Sequence, residues 1–554
     1  MIRKIWLCLT VTLFSGALLA KDTLIYCSPF DFPLLLSANF GELRTNHFHN
    51  GLDIKTKGSV GHPIRCIADG YVARVAVQHG GYGQAIYVAH PNGQTSVYGH
   101  IIRFAPQVEK YIRAYQYKHE TFVCNLFPDK KLFPVKQGDI IAWSGNEGSS
   151  GGPHLHLELR TTSTDEYVNP MPYYKRFLKD TKAPVANLLA VYPVPGKGVV
   201  EGSRRKKLIP VSSADNLVRA WGEIYAGISA KDLMDNTSNI YGVYSVTLYV
   251  DSTVVFRSVT DKVFPDENRM INSFVDYDER VRSHRWIMRS YKAPGNRLRL
   301  LHVDSKRGVV TINEERNYRF RYVLEDNFGN RRTYRFTVRG KKQNIPPVVG
   351  DEKNKEWLRV SQTVVINRPC LKLVVPKGNV YEDVPLEVKV IKDSLGISNK
   401  YKLDAGNTPF HKECSLSIGI QNMPVADSRK YYVKQQDGQW KTSVGGTFNK
   451  GWMQAKVRSL GTFSVDVDTI APSITPLSRE KWRATRNIRF RVKDVASGID
   501  TYKVYVDGKF VLFGLKKGIL VIQDKEKIKR GVPHKLEVIV TDCCGNERRK
   551  QFKF

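Results

Sequence analysis

Two short strings carry residue types suited to metal binding and acid–base chemistry. They are His49-Asn-Gly-Leu-Asp53 and His154-Leu-His156, the second preceded by Gly148-Ser-Ser-Gly-Gly-Pro153. Imidazole and carboxylate are good zinc ligands, and three protein ligands plus a water make a catalytic zinc pattern. Residues two or four apart in a strand point to the same side. His154 and His156 are therefore expected on one face, with Leu155 and Leu157 entering the opposite, core-facing one. His49 and Asp53 share a face if the backbone between them stays extended. Gly51 and Pro153 argue against a helix at either string. Nine of the thirteen histidines fall between His47 and His156, which makes this segment the one to search for chemistry. His47 is the nearest decoy, two residues before His49. His62, His79, His90 and His119 read as surface or satisfied core residues.

The elements that must position these side chains read as short strands. Ala85 to His90 and Gln94 to His100 alternate in polarity around Pro91-Asn92-Gly93, which predicts two strands and a tight turn. Arg65 to Val77, broken at Asp69-Gly70, predicts a second hairpin. Pro106 to Glu120 places Val108, Ile112 and Tyr115 at helical spacing. Past residue 180 the histidines thin out, and Val, Ile, Tyr, Lys and Arg alternate in short runs.

Six strings in order carry a close resemblance: Phe40-Gly, His49-Asn-Gly-Leu-Asp53, Ala68-Asp-Gly70, Tyr98-Gly-His100, Lys136-Gln-Gly-Asp139 and Gly151-Gly-Pro-His-Leu-His-Leu-Glu158. Residues 35–160 resemble the lysostaphin/LytM-type zinc metallopeptidases, which cut peptides of bacterial peptidoglycan. The resemblance implies a mainly antiparallel β domain, similar to a duplicated hybrid motif, with a groove over its sheet. It implies Zn2+ held by His49, Asp53 and His156, with His100 and His154 beside the metal. It also implies attack of a metal-activated water on an amide carbonyl. One of the two histidines takes the water proton, and the pair stabilises the oxyanion and protonates the leaving amine; which does which stays open. Asp69 and Glu158 belong to the matching strings and read as turn and framework residues. The 34 residues between His100 and Val135 form a longer connection than this family often has. The predicted helix and the strand-like Phe122–Phe127 fill it, and are expected to wall one end of the groove.

The whole chain has 554 residues and a formal net charge of +33. Its composition excludes a collagen-like, largely disordered or polytopic membrane protein. Arg3 and Lys4 precede an apolar stretch from Ile5 to Leu19 that ends in small residues, the pattern of a secretory signal peptide over 1–20. No later stretch is apolar and long enough for a membrane span. An exported chain, in the periplasm or cell envelope or secreted, does not meet nucleic acid. No large domain precedes His49, so no N-terminal inhibitory domain is expected. Seven scattered cysteines after Cys8 do not make a disulfide framework, and Cys370 with Cys414 is the one pairing considered.

An internal echo organises the remainder. Asp180-Thr-Lys-Ala-Pro184 recurs as Asp468-Thr-Ile-Ala-Pro472. Leu248-Tyr-Val-Asp251 recurs as Val504-Tyr-Val-Asp507, and Asp326-Asn-Phe-Gly-Asn330 as Asp542-Cys-Cys-Gly-Asn546. With a further junction at Asn344 to Val348, this predicts a peptidase domain over 21–180. β-Sandwich modules follow over 181–343, 344–467 and 468–554, the last immunoglobulin-like. Residues 21–180 carry 17 basic and 14 acidic side chains, whereas 181–554 carry 67 and 39. The expected partners are thus peptidoglycan peptides at the site and other anionic envelope polymers along the basic modules. On this reading the modules anchor and space the peptidase, and a chain ending near Asp180 keeps its activity on a small peptide. Two other functions compete with this one, and the strings separate only the first of them from it. One is a metal-free member that binds and activates another wall hydrolase, which the complete ligand set opposes. The other is a secreted protease acting on proteins, which uses the same site.

Overall fold

The computed structural model describes residues 25–212, 217–347 and 356–554. The expected signal peptide lies outside the described residues. Among the described residues no helix is long and apolar enough to cross a membrane.

The site rests on one antiparallel sheet. Its strands run in the order Leu36–Ala38, Leu52–Lys55, His154–Thr161, Gln94–Gly99, Gln84–Ala89, Gly70–Val77 and Cys124–Leu126. The strand His154–Thr161 is central, with Asp53 opposite His156 on one side and Gly99 opposite it on the other. Leu155, Leu157 and Leu159 alternate with the polar residues and are fully buried in the core with Leu52, Ile54, Ile86 and Tyr98. The period-two reading of His154 to Leu157 therefore describes the strand.

Two local expectations also match. The strands Gln84–Ala89 and Gln94–Gly99 pair with each other across the Pro91-Asn92-Gly93 turn. The helix spans Pro106–His119, with proline in its first turn, where the missing N–H costs nothing. Its Val108 and Ile112 are buried, and it ends at Glu120 in a left-handed conformation. The predicted hairpin over Arg65 to Val77 does not form. Pro63–Arg65 pairs with Ile140–Trp143 in a separate three-stranded sheet, while Gly70–Val77 pairs with Gln84–Ala89. Non-local pairing here overrides the turn signal of Asp69-Gly70, which instead changes sheets. Cys370 and Cys414 are free thiols, so the pairing considered for them is not made.

The rest is β as well. Strands between Val185 and Gly340 hydrogen-bond into one ten-stranded sheet, except Lys262–Val263, which pairs with Tyr167–Val168 of the first sheet. Its longest members, Val185–Val200 and Leu217–Lys231, pair with irregularities in register, and Leu217–Lys231 pairs along its length with three further strands in turn. Residues 356–467 form a six-stranded and a five-stranded sheet, and 473–553 form two four-stranded sheets.

These modules do not hang free of the peptidase region. Phe40 and Phe48, which flank the metal-binding string, are buried in a cluster with Ile224, Leu248 and Phe274. In return Met234 and Tyr241 are buried among the core residues beneath the sheet that carries His154 and His156. The last module folds back onto the long connection. Lys503 Nζ lies 2.7 Å from Glu120 Oε2, and Tyr117 OH donates to Asp524 Oδ2 at 2.9 Å.

The expected independence of residues 21–180 changes accordingly. Ending the chain at Asp180 uncovers Phe40 and Phe48 and removes Met234 and Tyr241. Four large side chains at about 1.5–3 kcal/mol each sum to about 6–12 kcal/mol, against about 5–15 kcal/mol for a whole domain. The shortened chain is expected to lose its cooperative thermal unfolding transition, and with it hydrolysis of even a small soluble peptide. Full activity with an unchanged melting profile would show that the shared core is dispensable.

Candidate metal centre and active site

His49 leaves the short strand His47–Phe48, and Asp53 sits inside Leu52–Lys55. The backbone between them is not extended throughout but bends at Gly51. That bend requires glycine, since a Cβ at Gly51 would lie 2.4 Å from the Leu157 carbonyl oxygen. The close approach brings the histidine string against the central strand.

Three ligand-capable side chains then converge. His49 Nε2 lies 2.9 Å from Asp53 Oδ1 and 3.0 Å from His156 Nδ1. His156 Nδ1 lies 2.8 Å from the same Asp53 oxygen. All three residues are buried, and their facing atoms are close enough to share one metal ion. Each is aimed by a partner behind it. His49 Nδ1 donates to the Asn39 carbonyl at 2.7 Å. His156 Nε2 meets Glu158 Oε1 at 2.8 Å. Asp53 Oδ2 accepts from Arg44 Nη2 at 3.0 Å, leaving Oδ1 toward the imidazoles. Anchoring one ring nitrogen on an acceptor and turning the other inward is the arrangement a metal-binding histidine needs. The facing imidazoles more than offset the effect of burial on Asp53 and hold its carboxyl well below the usual range.

His100 and His154 complete the set from other directions. His100 follows the strand Gln94–Gly99 in a left-handed conformation, φ 59°. Its Nδ1 is held 2.8 Å from the Glu147 carbonyl oxygen. Burial, with His156 and His154 alongside, pushes its pKa down to about 4, so the ring is neutral at pH 7. His154 Nδ1 is held by the Gly152 carbonyl at 2.8 Å. Its Nε2 has no hydrogen-bond partner and lies 3.5 Å from Asp53 Oδ1. The two rings are 4.7 Å apart.

The remaining histidines stay outside. His47 is exposed and bonds the Thr45 carbonyl. His62 bonds Ser59, His90 bonds Asp69 and Ser96, and His79 and His119 stack on Phe122 and Tyr115. Asp69 accepts from the Gln137 N–H in a turn, as read. Glu158 does more than frame the strand. It is fully buried, braced by Arg160 and Tyr82, and is the acceptor that orients His156. Arg160 outweighs its burial and keeps its carboxyl ionised, with a pKa near 2. The same alternation that paired His154 with His156 extends to Glu158 and carried this signal. Arg44 and Tyr82, which stacks on His156 at 5.2 Å, come from elsewhere in the chain and carried none.

Residues 47–117 match the model of peptidase family M23, and residues 355–468 match that of a Zu5-like domain. The chain is 31% identical over 129 residues to the DD-carboxypeptidase/endopeptidase Mpg of Neisseria meningitidis, and that match covers 23% of each chain. It is 30% identical over 130 residues to the glycyl-glycine endopeptidase ALE-1 of Staphylococcus capitis, covering 23% of this chain and 29% of that one. These matches thus span less than a third of either relative's length. Among solved structures, the catalytic domain of the prophage-encoded M23 protein EnpA of Enterococcus faecalis is 25% identical. It covers 26% of this chain and 95% of its own, with a TM-score of 0.20. The match of residues 47–117 to the family model and the buried histidine–aspartate–histidine group lead to one assignment: the chain carries an M23 peptidase domain, followed by further β-sheet modules.

Proposed function

We propose that the chain is an exported zinc metalloendopeptidase that hydrolyses peptide bonds in the stem peptides or cross-links of bacterial peptidoglycan. The observation that carries this reading is the convergence of five side chains from three separate strings, each with one atom anchored by a partner behind it. His49 Nε2, Asp53 Oδ1 and His156 Nδ1 are the atoms that would hold Zn2+. The donor set of two imidazoles and one carboxylate suits that ion and leaves room for a further ligand. When bound, zinc supplies a Lewis acid for the scissile carbonyl and lowers the pKa of water toward about 7.

This chain's own residues do the rest. Glu158 and Asn39 keep two imidazoles in one tautomer and orientation. Neutral His100 and the unpartnered Nε2 of His154 form an adjacent pair that accepts the water proton and returns it to the leaving nitrogen. The ring that has taken the water proton becomes a donor, which stabilises the negative charge that develops on the carbonyl oxygen before the proton passes to the leaving nitrogen.

The chain is read as a signal peptide (1–20), a peptidase domain (21–180) and β-modules over 181–343, 344–467 and 468–554. The excess of basic side chains after residue 180 supports attraction to anionic envelope polymers, which raises substrate concentration near the site. The names of the relatives, a DD-carboxypeptidase/endopeptidase and a glycyl-glycine endopeptidase, support peptidoglycan peptides as the substrate class. The test is digestion of purified peptidoglycan by the zinc-loaded chain, with the released fragments identified by mass. Fragments ending at a newly opened peptide bond are expected.

A further inference from the structure

We propose that two aspartate triads in the β-modules, Asp180–Asp232–Asp326 and Asp468–Asp494–Asp542, are a repeated pair of Ca2+ sites. Within each triad, one carboxylate oxygen per residue lies within 4.8 Å of the others. The two triads occupy equivalent places in the internal repeat. Asp180 and Asp468 open the two Pro-marked linkers, and Asp326 and Asp542 open the two Gly-Asn turns. Asp232 and Asp494, which the repeated strings do not contain, each follow directly on a strand, Leu217–Lys231 and Arg489–Lys493.

The repeat extends to individual hydrogen bonds. Asp326 Oδ1 accepts from the Phe328 and Asn330 N–H groups, and its Oδ2 from Asn330 Nδ2. That amide also donates to the Asp180 carbonyl at 3.2 Å. Asp542 does the same with Cys544 and Asn546, and Asn546 donates to the Asp468 carbonyl at 2.9 Å. These bonds make two rigid turns but do not by themselves call for an ion.

The third aspartate does. Asp232 is only 3% exposed, and its Oδ1 has no hydrogen-bond partner. The corresponding Asp494 Oδ1 is unpartnered too. A buried carboxylate oxygen without a partner is costly. Two other carboxylates beside it make it worse. Burial first, then the charges of Asp326 and Asp180, push the Asp232 carboxyl up to about 8. Among the described residues, no lysine or arginine forms an ion pair with any of the six carboxylates, in a chain with 86 Lys+Arg. A divalent cation satisfies the orphaned oxygens and neutralises the cluster together. The donors are all oxygen, with no imidazole or thiolate, which selects a hard ion. An irregular cage of several carboxylates fits Ca2+ better than Mg2+, which demands near-octahedral geometry and keeps its waters.

Bound there, the ion ties each linker to the two strand ends of the module that follows. The first site also reaches toward the peptidase. Asp232 exchanges backbone hydrogen bonds with Tyr241, whose hydroxyl donates to the Leu36 carbonyl, and neighbouring Gly242 pairs with Asn39 behind His49.

The experiment is calorimetric titration of the zinc-loaded full-length chain with CaCl2, after treatment with a calcium-selective chelator and desalting. Two Ca2+ per chain are expected, one in Asp232→Asn, one in Asp494→Asn and none in the double variant. Thermal unfolding of the unmodified chain supplies a second readout that does not depend on the variants folding. CaCl2 at about 10 mM, above the weakest class of protein calcium sites, is expected to raise its midpoint by about 5 °C or more. NaCl at equal ionic strength is expected to leave the midpoint unchanged. Absence of both heat and midpoint shift, or a Ca2+ count that neither substitution lowers, overturns the proposal.

Discussion

Replacing Asp53 with alanine is expected to remove both the bound metal and all measurable hydrolysis. Asp53 is the common neighbour of the other two ligands, at 2.9 and 2.8 Å. Its loss leaves two imidazoles, one fewer protein ligand than catalytic zinc sites use. It also leaves Arg44 Nη2 facing the vacated space without its acceptor, while Arg44 Nε keeps Glu42 Oε1 at 3.3 Å. A positive charge there repels a cation. His49→Ala is expected to behave in the same way. Metal analysis of the purified variants and turnover on peptidoglycan check both. A variant with one zinc per chain would show that Asp53 is not a ligand.

His154→Ala and His100→Ala separate proton transfer from metal binding. Both are expected to keep one zinc per chain, because neither belongs to the buried three-residue group. Both are expected to lose about 10²–10⁴-fold in kcat, the usual effect of a missing general acid–base group. Neither change is expected to alter the fold, since each ring is anchored by a single backbone carbonyl, that of neighbouring Gly152 for His154 and that of Glu147 from another loop for His100. Zinc loss in either variant would move that histidine from proton transfer to ligation. An undiminished kcat would remove it from the chemistry.

How much of this could be read from the chain alone follows from the range of the interactions. Strand alternation is local, so the shared face of His154 and His156 and the inward Leu155 and Leu157 were legible. The same rule reaches Glu158, whose role as the acceptor behind His156 is a further step of the same periodicity. The helix Pro106–His119 and the strand pair around Asn92-Gly93 were legible for the same reason. What failed or was missed is long-range. Arg65 and Gly70 lie five residues apart yet belong to different sheets, because each finds its partner elsewhere. Arg44 reaches Asp53 only through the turn at Gly51, and His100 points into the site only because its backbone is left-handed, rare for a non-glycine residue. The burial of Phe48 against Phe274 joins residues 226 positions apart, which no pattern in either segment announces. The internal repeat was visible as strings, but its third aspartate was not. Asp232 and Asp494 sit in unlike surroundings, Lys-Asp-Leu-Met and Lys-Asp-Val-Ala, and only the fold superposes their roles.

Cleavage of peptidoglycan peptide bonds at the proposed metal centre is directly measurable. The most direct measurement is the mass-resolved digest of purified peptidoglycan by the zinc-loaded full-length chain, run beside Asp53→Ala. The intact chain is expected to release fragments that each carry a new amino or carboxyl end inside a stem peptide or cross-link, and the variant none. Intact peptidoglycan after digestion by a chain shown to hold one zinc would contradict it, as would equal release by Asp53→Ala.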